Sequence, residues 1–339
     1  MKVSVIIPCR NEEAHIESML HSLLKQKLSN LELEILVADG MSDDQTAAIV
    51  KNIANTSPNI RLIENPDQVV PHGLNKAIKQ STGEIILRMD AHSEYPQNYI
   101  QRLVDVLLFE GADNVGGVWD TQPGADTNMA RSIVVASSSK FGVGNAQYRL
   151  EGEGVIEVDT VPYGCYLRTV FDRIGLFDED MVRNQDDELN ARLTKAGGKI
   201  LLITDLKIKY YARPTLRKLI KMFYQYGVFK PLVAKKVGQP ATWRQFFPAA
   251  FVLGNICGLV LGFLNSNFWG IVLIVNLLHL FVGKMIGLNK YSEMKSVSMI
   301  WQVPVIIYCM HWSYGFGYLK GVWRFILLGK KPSKIAPSR

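Results

Sequence analysis

Residues 83–95 read GEIILRMDAHSEY: an apolar run, then Asp90-Ala91-His92, then a polar break. In an extended backbone, positions two apart point the same way, so the carboxylate of Asp90 and the imidazole of His92 share a side. That pair of ligand types suits a hard or borderline divalent cation, Mn²⁺ or Mg²⁺, that also holds a phosphate. A loop aspartate beside a solvated histidine fits the same two residues, so their surroundings must decide.

Around this stretch the chain alternates. Short β-rich runs at 3–7, 33–38, 60–63, 84–89 and 115–119 are separated by segments with helical apolar spacing at 12–25, 44–54, 72–80 and 98–109. Such alternation predicts an α/β fold, a mostly parallel sheet wound with helices. VSVII and EIIL lack clean polar alternation, as parallel strands covered on both faces do. From 120 to 160 Gly, Ser, Asn and Gln dominate, which predicts a long connection over the open end of the sheet. An ordered block over 161–210 follows, with a helix through DDELNARLTKAG that stops at Gly197-Gly198.

Ligands of open α/β sheets bind beyond the carboxyl ends of the strands. Pro8, Arg10 and Glu12 follow the first strand and Asp39 ends the second. Glu12 and Asp39 are thus two carboxylates at neighbouring strand tips, placed to accept hydrogen bonds from a nucleobase or ribose. Asp39 also suits a turn, with Ser42 or Asp43 capping the next helix. Neither tip carries GxGxxG, and no GxxxxGK[ST] occurs. Asn184-Gln185-Asp186-Asp187-Glu188-Leu189 opens a helix. Acids there stabilise a first turn, but since neighbouring helical positions diverge by about 100°, only one of Asp186 and Asp187 faces a cleft. A carboxylate so placed can deprotonate a sugar hydroxyl.

Charge divides the 339 residues sharply. Residues 1–205 hold 30 acidic and 19 basic residues, whereas 206–339 hold 19 basic residues and one acid, Glu293. The basic part surrounds long apolar runs, which points to anionic lipid and away from nucleic acid. Residues 215–245 form a basic amphipathic segment suited to a membrane interface. Apolar runs at 246–264, 268–288 and 299–319 approach the roughly 20 residues a bilayer needs. The first two predict a tight hairpin about Asn265-Ser266-Asn267, and Lys284, Lys290 and Lys295 a cytoplasmic return loop. The third run is expected to span, to turn back through GFGYLKGVW or to lie in the interface. Cys9, Cys165, Cys257 and Cys309 lack CxxC spacing and are expected as buried thiols in a reducing compartment. No signal peptide precedes the first strand, so the N-terminal part is expected in the cytoplasm.

VSVIIPCRNEE, the ADGMSDDQT turn, GLNKAIKQSTGEIILRMDAH, the VPYGCYLR–IGLFDE stretch and QDDELNARL together resemble the family 2 glycosyltransferases of A-type fold, over roughly 1–230. The resemblance implies that Pro8, Arg10, Glu12 and Asp39 hold uridine, that Asp90 touches the sugar nucleotide and that Asp90 and His92 bind Mn²⁺ or Mg²⁺. His92 stands where the family usually has Asp, and Gln185 where it has Glu; the register makes Asp186 the general base. Gln225 and Phe229 fall where processive and lipid-linked relatives have Gln-x-x-Arg-Trp, which implies acceptor binding. A core-facing stripe on an amphipathic helix explains Phe229 equally. RMDAHSEY, VPYGCYLR and the apolar tail resemble membrane-bound bacterial exopolysaccharide glucosyltransferases of the succinoglycan type.

The expected organisation is a cytoplasmic transferase domain at 1–212, an interface segment at 213–245, a membrane region of two to three helices at 246–328 and a basic tail at 329–339. The expected reaction is inverting transfer of a hexose, glucose first, from a UDP-sugar to a lipid-linked glycan at the inner membrane. A polyprenyl-phosphate sugar transferase of the dolichol-phosphate-mannose type and a sugar-nucleotide-binding membrane scaffold are the alternatives.

Overall fold

The computed structural model describes residues 1–144, 146–150, 152–239, 242–294 and 296–332. Lys295, Lys334 and Arg339, and with them most of the expected basic tail, lie outside the described residues. The chain forms two units, one of residues 1–120 and 151–210, the other of residues 121–150 and 211–339.

The first unit is built on β1 (Lys2–Cys9), α1 (Ile16–Leu24), β2 (Glu32–Asp39), α2 (Thr46–Thr56), β3 (Ile60–Glu64), α3 (Val70–Gln80), β4 (Ile85–Arg88), β5 (Ser93–Glu94), α4 (Tyr99–Phe109) and β6 (Asn114–Gln122). After the second unit's α5 (Asn128–Ser137) and single-turn α6 (Lys140–Val143) come β7 (Val155–Glu157), β8 (Cys165–Leu167), α7 (Arg168–Ile174), α8 (Gln185–Lys195) and β9 (Ile200–Tyr211). Among the described residues the sheet runs β3-β2-β1-β4-β8-β6-β9-β5, with β7 beside β9. It is parallel from β3 to β4 and antiparallel where β8 joins β4 and β6.

Both faces of the parallel part are buried, which explains its unbroken apolar strands. Val3, Val5, Ile7, Ile35, Val37, Ile85 and Leu87 share a core with Ile16, Leu20 and Leu23 of α1 and Ile100, Leu103 and Leu107 of α4. Ile6, Leu36 and Ile86 point the other way and are buried too, with α3 against β1 and β2. Each such side chain contributes about 1.5–3 kcal/mol. Gly197 adopts φ 77°, and the Gly198 N–H returns to Leu193 O, ending α8 at the expected glycines.

The second unit is helical: α5, α6, α9 (Leu216–Val237), α10 (Phe247–Leu261), α11 (Asn267–Met294) and α12 (Ser298–Gly321). Four expectations change here. First, the 120–160 segment is not a loose connection. Ile133, Val135 and Ala136 of α5 join a core with Leu219, Met222 and Phe223 of α9 and Val303, Ile306 and Met310 of α12. Second, the apolar stripe of α9 meets α12 rather than lipid. Gly227 faces Tyr314, while Gly317 and Gly321 face the backbone of Tyr224 and Val228, where any Cβ would collide.

Third, α12 buries one face, with Val303, Ile306, Ile307 and Met310, while Trp301, Val305 and Phe316 stay exposed; it runs on through Gly321 into a π-helical turn at Val322–Leu327 instead of turning back. Among the described residues, two helices are long and apolar enough to cross a membrane: Trp243–Leu261 and Asn267–Lys290, with mean hydropathies of 1.4 and 2.1. Fourth, Lys284 and Lys290 lie within α11 rather than in a return loop. The Lys284 ammonium sits 4.5 Å from the centre of the Trp301 ring. The cysteines are all free; Cys9 and Cys165 are buried, but Cys257, on the outward face of α10, is exposed.

Candidate active site

The tips of β1 and β2 are stitched together before any side chain reaches outward. Asn11 takes a left-handed φ of 56°, and its N–H donates to Ser42 Oγ at 2.9 Å. Its own Oδ1 accepts from the Asp43 N–H at 3.1 Å. The Glu12 N–H donates to Thr46 Oγ1 at 2.8 Å. Both oxygens of Asp39 are taken by Ser42, from its hydroxyl and its N–H, so Asp39 serves here as a turn residue. The expected caps of α2 do not form; Asp44 instead accepts the Thr46 N–H at 2.9 Å. Pro8, within β1, is buried, and Arg10 is exposed.

Asp90 and His92 meet, though by a turn and not by strand alternation. The chain leaves β4 at Arg88 and bends at Ala91 and His92. The imidazole then lies between two carboxylates, with Nε2 3.3 Å from Asp90 Oδ2 and Nδ1 3.4 Å from Glu12 Oε1. Two tyrosines fix Asp90. Tyr163 Oη donates to Asp90 Oδ2 at 3.2 Å, and Tyr95 Oη accepts the Asp90 N–H at 2.8 Å.

Asp186 is brought in by α8. Asn184, at φ 60°, turns the chain into this helix. Buried Asn190 fixes the helix through Asn114 and Thr160, and Glu188 fixes it through Arg192. In that register Asp186 accepts a hydrogen bond from Arg88 Nη1. Arg88 Nη2 lies 4.0 Å from Asp90 Oδ1, and the guanidinium stands 5.5 Å from the centre of the Tyr163 ring. Glu12, His92, Asp90, Arg88 and Asp186 therefore form one continuous chain of contacts. Burial pushes the Asp186 carboxyl up, and Arg88 pulls it part of the way back. Burial would lower the Arg88 pKa, but the charges of Asp186 and Asp90 outweigh it and keep the guanidinium protonated.

Among the described residues, no three His, Cys, Asp or Glu side chains enclose a metal on their own. Asp90 and His92 offer one oxygen and one nitrogen donor, which fits a cation whose other positions are filled by diphosphate oxygens and water. Gln225 and Phe229 lie in α9 of the helical unit, and both are buried. Phe229 is 0% exposed, its ring 5.9 Å from that of Phe325, so it follows the core-stripe alternative and presents no open face.

Sequence reasoning passed over Arg88, Tyr95 and Tyr163. For Arg88 a signal existed: a charge inside IILRM must find a partner once the strand is buried. The tyrosines gave none, because their roles depend on contacts 5 and 73 residues away in the chain.

The family model described as Glycosyl transferase family 2 matches residues 4–175. The Rhizobium meliloti (strain 1021) succinoglycan biosynthesis protein ExoA is 31% identical over 224 residues, 66% of this chain and 66%, just under two thirds, of that protein. A Methanococcus voltae dolichyl N-acetyl-alpha-D-glucosaminyl phosphate 3-beta-D-2,3-diacetamido-2,3-dideoxy-beta-D-glucuronosyltransferase is 25% identical over 94% of this chain and 97% of its own. The fold is that of the mannosyltransferase PcManGT from Pyrobaculum calidifontis in complex with GDP-Man and Mn²⁺, at TM-score 0.56 and 17% identity over 95% of this chain and 87% of that one. S. aureus TarS 1-349 in complex with UDP-GlcNAc shares it at TM-score 0.52 and 16% identity, over 95% and 92%.

Proposed function

This chain belongs to glycosyl transferase family 2, and from that premise we propose that it moves a hexose, glucose first, from a UDP-sugar to a polyprenyl-diphosphate-linked glycan with inversion. The enzyme class is a glycosyltransferase; donor and acceptor are the proposal. The observation that carries it is the contact chain from Glu12 through His92, Asp90 and Arg88 to Asp186. It brings Asp90 and His92, which this reading takes as the cation's protein ligands, into one cluster with Asp186, a carboxylate held by one oxygen.

In this reading Pro8, Arg10, Glu12 and Asp39 receive the nucleoside at the β1 and β2 tips, with Ser42 yielding its hold on Asp39. Asp90 and His92 hold Mn²⁺ or Mg²⁺, which offsets the charge that builds on the departing diphosphate. Asp186 takes the proton of the acceptor hydroxyl as the oxygen attacks the anomeric carbon. A base contributes typically about 10²–10⁴-fold to such a step, and the upward pressure of burial on Asp186 brings it nearer the working pH.

The membrane part of the proposal rests on the outward faces of α10 and α11. Ile271, Ile274, Leu278 and Phe281 are more than half exposed, a surface that water does not favour. These helices are read as an inner-membrane anchor that leaves the sheet unit in the cytoplasm, where an acceptor that stays in the bilayer can be reached. The dolichyl-linked substrate in the name of the M. voltae relative favours a lipid-linked acceptor, and the succinoglycan role in the name of the R. meliloti one favours polysaccharide synthesis. Membranes bearing the protein, incubated with Mn²⁺ and a panel of labelled UDP-sugars, test it. The proposal expects lipid-extractable label from one donor; label confined to water-soluble sugar contradicts it.

A further inference from the structure

We propose that Arg88 is a positioning residue for the transfer, holding Asp186 by one carboxylate oxygen and leaving the other to take the acceptor proton. The proposal rests on the reading of Asp186 as the base.

A comparison inside the same unit separates this pair from a structural one. Arg192 uses four of its five N–H donors. Its Nε and Nη2 grip both oxygens of Glu188, and its Nη1 and Nη2 reach the carbonyls of Ile174 and Leu176. That pair ties α8 to the end of α7 and leaves little free. Arg88 is also buried, at 6% side-chain exposure. Yet it uses its donors sparingly: Nη1 binds Asp186 Oδ1, Nη2 stands off Asp90 at 4.0 Å, and Nε has no hydrogen-bond partner among the described residues. Asp186 Oδ2 carries no protein hydrogen bond among the described residues, and the side chain keeps 23% exposure.

A buried charge costs several kcal/mol in desolvation, and Ile85, Ile86 and Leu87 show what this strand otherwise selects. An apolar residue at position 88 would pack the sheet at lower cost. The guanidinium is explained by what it does to Asp186. It orients the carboxylate, keeps its charge in a buried setting, and leaves one oxygen open on the wet side. The face of Tyr163 and the two flanking carboxylates hold the planar group in place. A lysine keeps the charge there and loses the planar fork.

The test uses the full-length protein in detergent, with R88K, R88Q and D186N. UDP affinity with Mn²⁺ is measured by calorimetry, and kcat at saturating donor. We expect kcat to fall about 100-fold in R88Q and less in R88K, with UDP affinity within twofold of wild type in both. A wild-type kcat in R88K and R88Q overturns the proposal, as does a loss of UDP affinity in R88K that accounts for its lost rate. If R88Q fails to fold, R88K decides. The base assignment is read separately: transfer at the wild-type rate by D186N removes that assignment whatever the arginine variants do.

Discussion

Arg88 and Asp186, 98 residues apart in sequence, form a buried ion pair at the end of a strand whose next residues lead into Asp90 and His92. One guanidinium thus connects the carboxylate read as the base with the carboxylate read as the cation ligand. The pair is what joins helix α8 electrostatically to the β4 tip.

His92→Ala removes one of the two cation donors. Mn²⁺-dependent UDP binding, followed by calorimetry, is expected to fall at least about tenfold. Unchanged affinity would show that the imidazole between Asp90 and Glu12 is only a polar bridge.

Glu34 carries a pH dependence of stability in the sheet unit. Burial would raise its pKa, but hydrogen bonds from Ser4, the Thr82 N–H, Lys2 and the Gly83 N–H outweigh it and hold the carboxyl down to about 2, from an ordinary 4.5. A folded pKa below the unfolded one stabilises above pH 4.5, and that stability is lost as pH falls from there toward 2. Glu34→Gln is expected to cost about 2–3 kcal/mol at pH 7, and most of the gap from wild type should be gone near pH 2.5. Chemical denaturation at the two pH values measures it; an equal gap at both contradicts the assignment.

Phe229→Ala distinguishes packing from acceptor contact. Its ring is fully buried against Phe325, so truncation is expected to lower stability by about 3–5 kcal/mol. Phe229→Leu should restore most of both stability and acceptor KM. A stable Ala variant with a raised acceptor KM would return Phe229 to the acceptor site.

Ile274→Asp and Ile307→Asp should fail in opposite ways. Ile274 of α11 is 58% exposed and Ile307 of α12 is fully buried. A carboxylate in a lipid-facing helix centre costs about 2.5–3.5 kcal/mol of insertion. The Ile274 variant should therefore shift from the membrane fraction with UDP binding intact, while the Ile307 variant should unfold the helical unit. Full membrane retention of the Ile274 variant in a carbonate wash would contradict the lipid-facing assignment.

The sheet was legible because its signals are local. VSVII, LEILVA and EIIL are short, apolar and bounded by turn residues; β1 and β2 extend the first two by at most two residues at either end, and β4 is one residue shorter at each end than the expected 84–89. The helical unit was less so. The α5 segment is rich in small residues, and its packing partner, α12, lies about 170 residues on, as the Ser132–Gln302 hydrogen bond illustrates. The apolar spacing of α9 and the apolar run of α12 also suit a membrane, because an apolar stripe looks the same whether it meets lipid or another helix. The acidic turn at 185–188 and the Asp90–His92 pair could be found by residue type and order. Arg88 could be found only by asking what a charge does inside a buried strand.

Wild type and D186N, compared for transfer and for UDP binding in one preparation, test the central claim most directly. The account predicts that D186N binds UDP with Mn²⁺ as tightly as wild type and transfers labelled sugar to the lipid-extractable acceptor about 10²–10⁴-fold more slowly. Transfer at the wild-type rate by D186N would contradict it and favour a phosphate acceptor that needs no base.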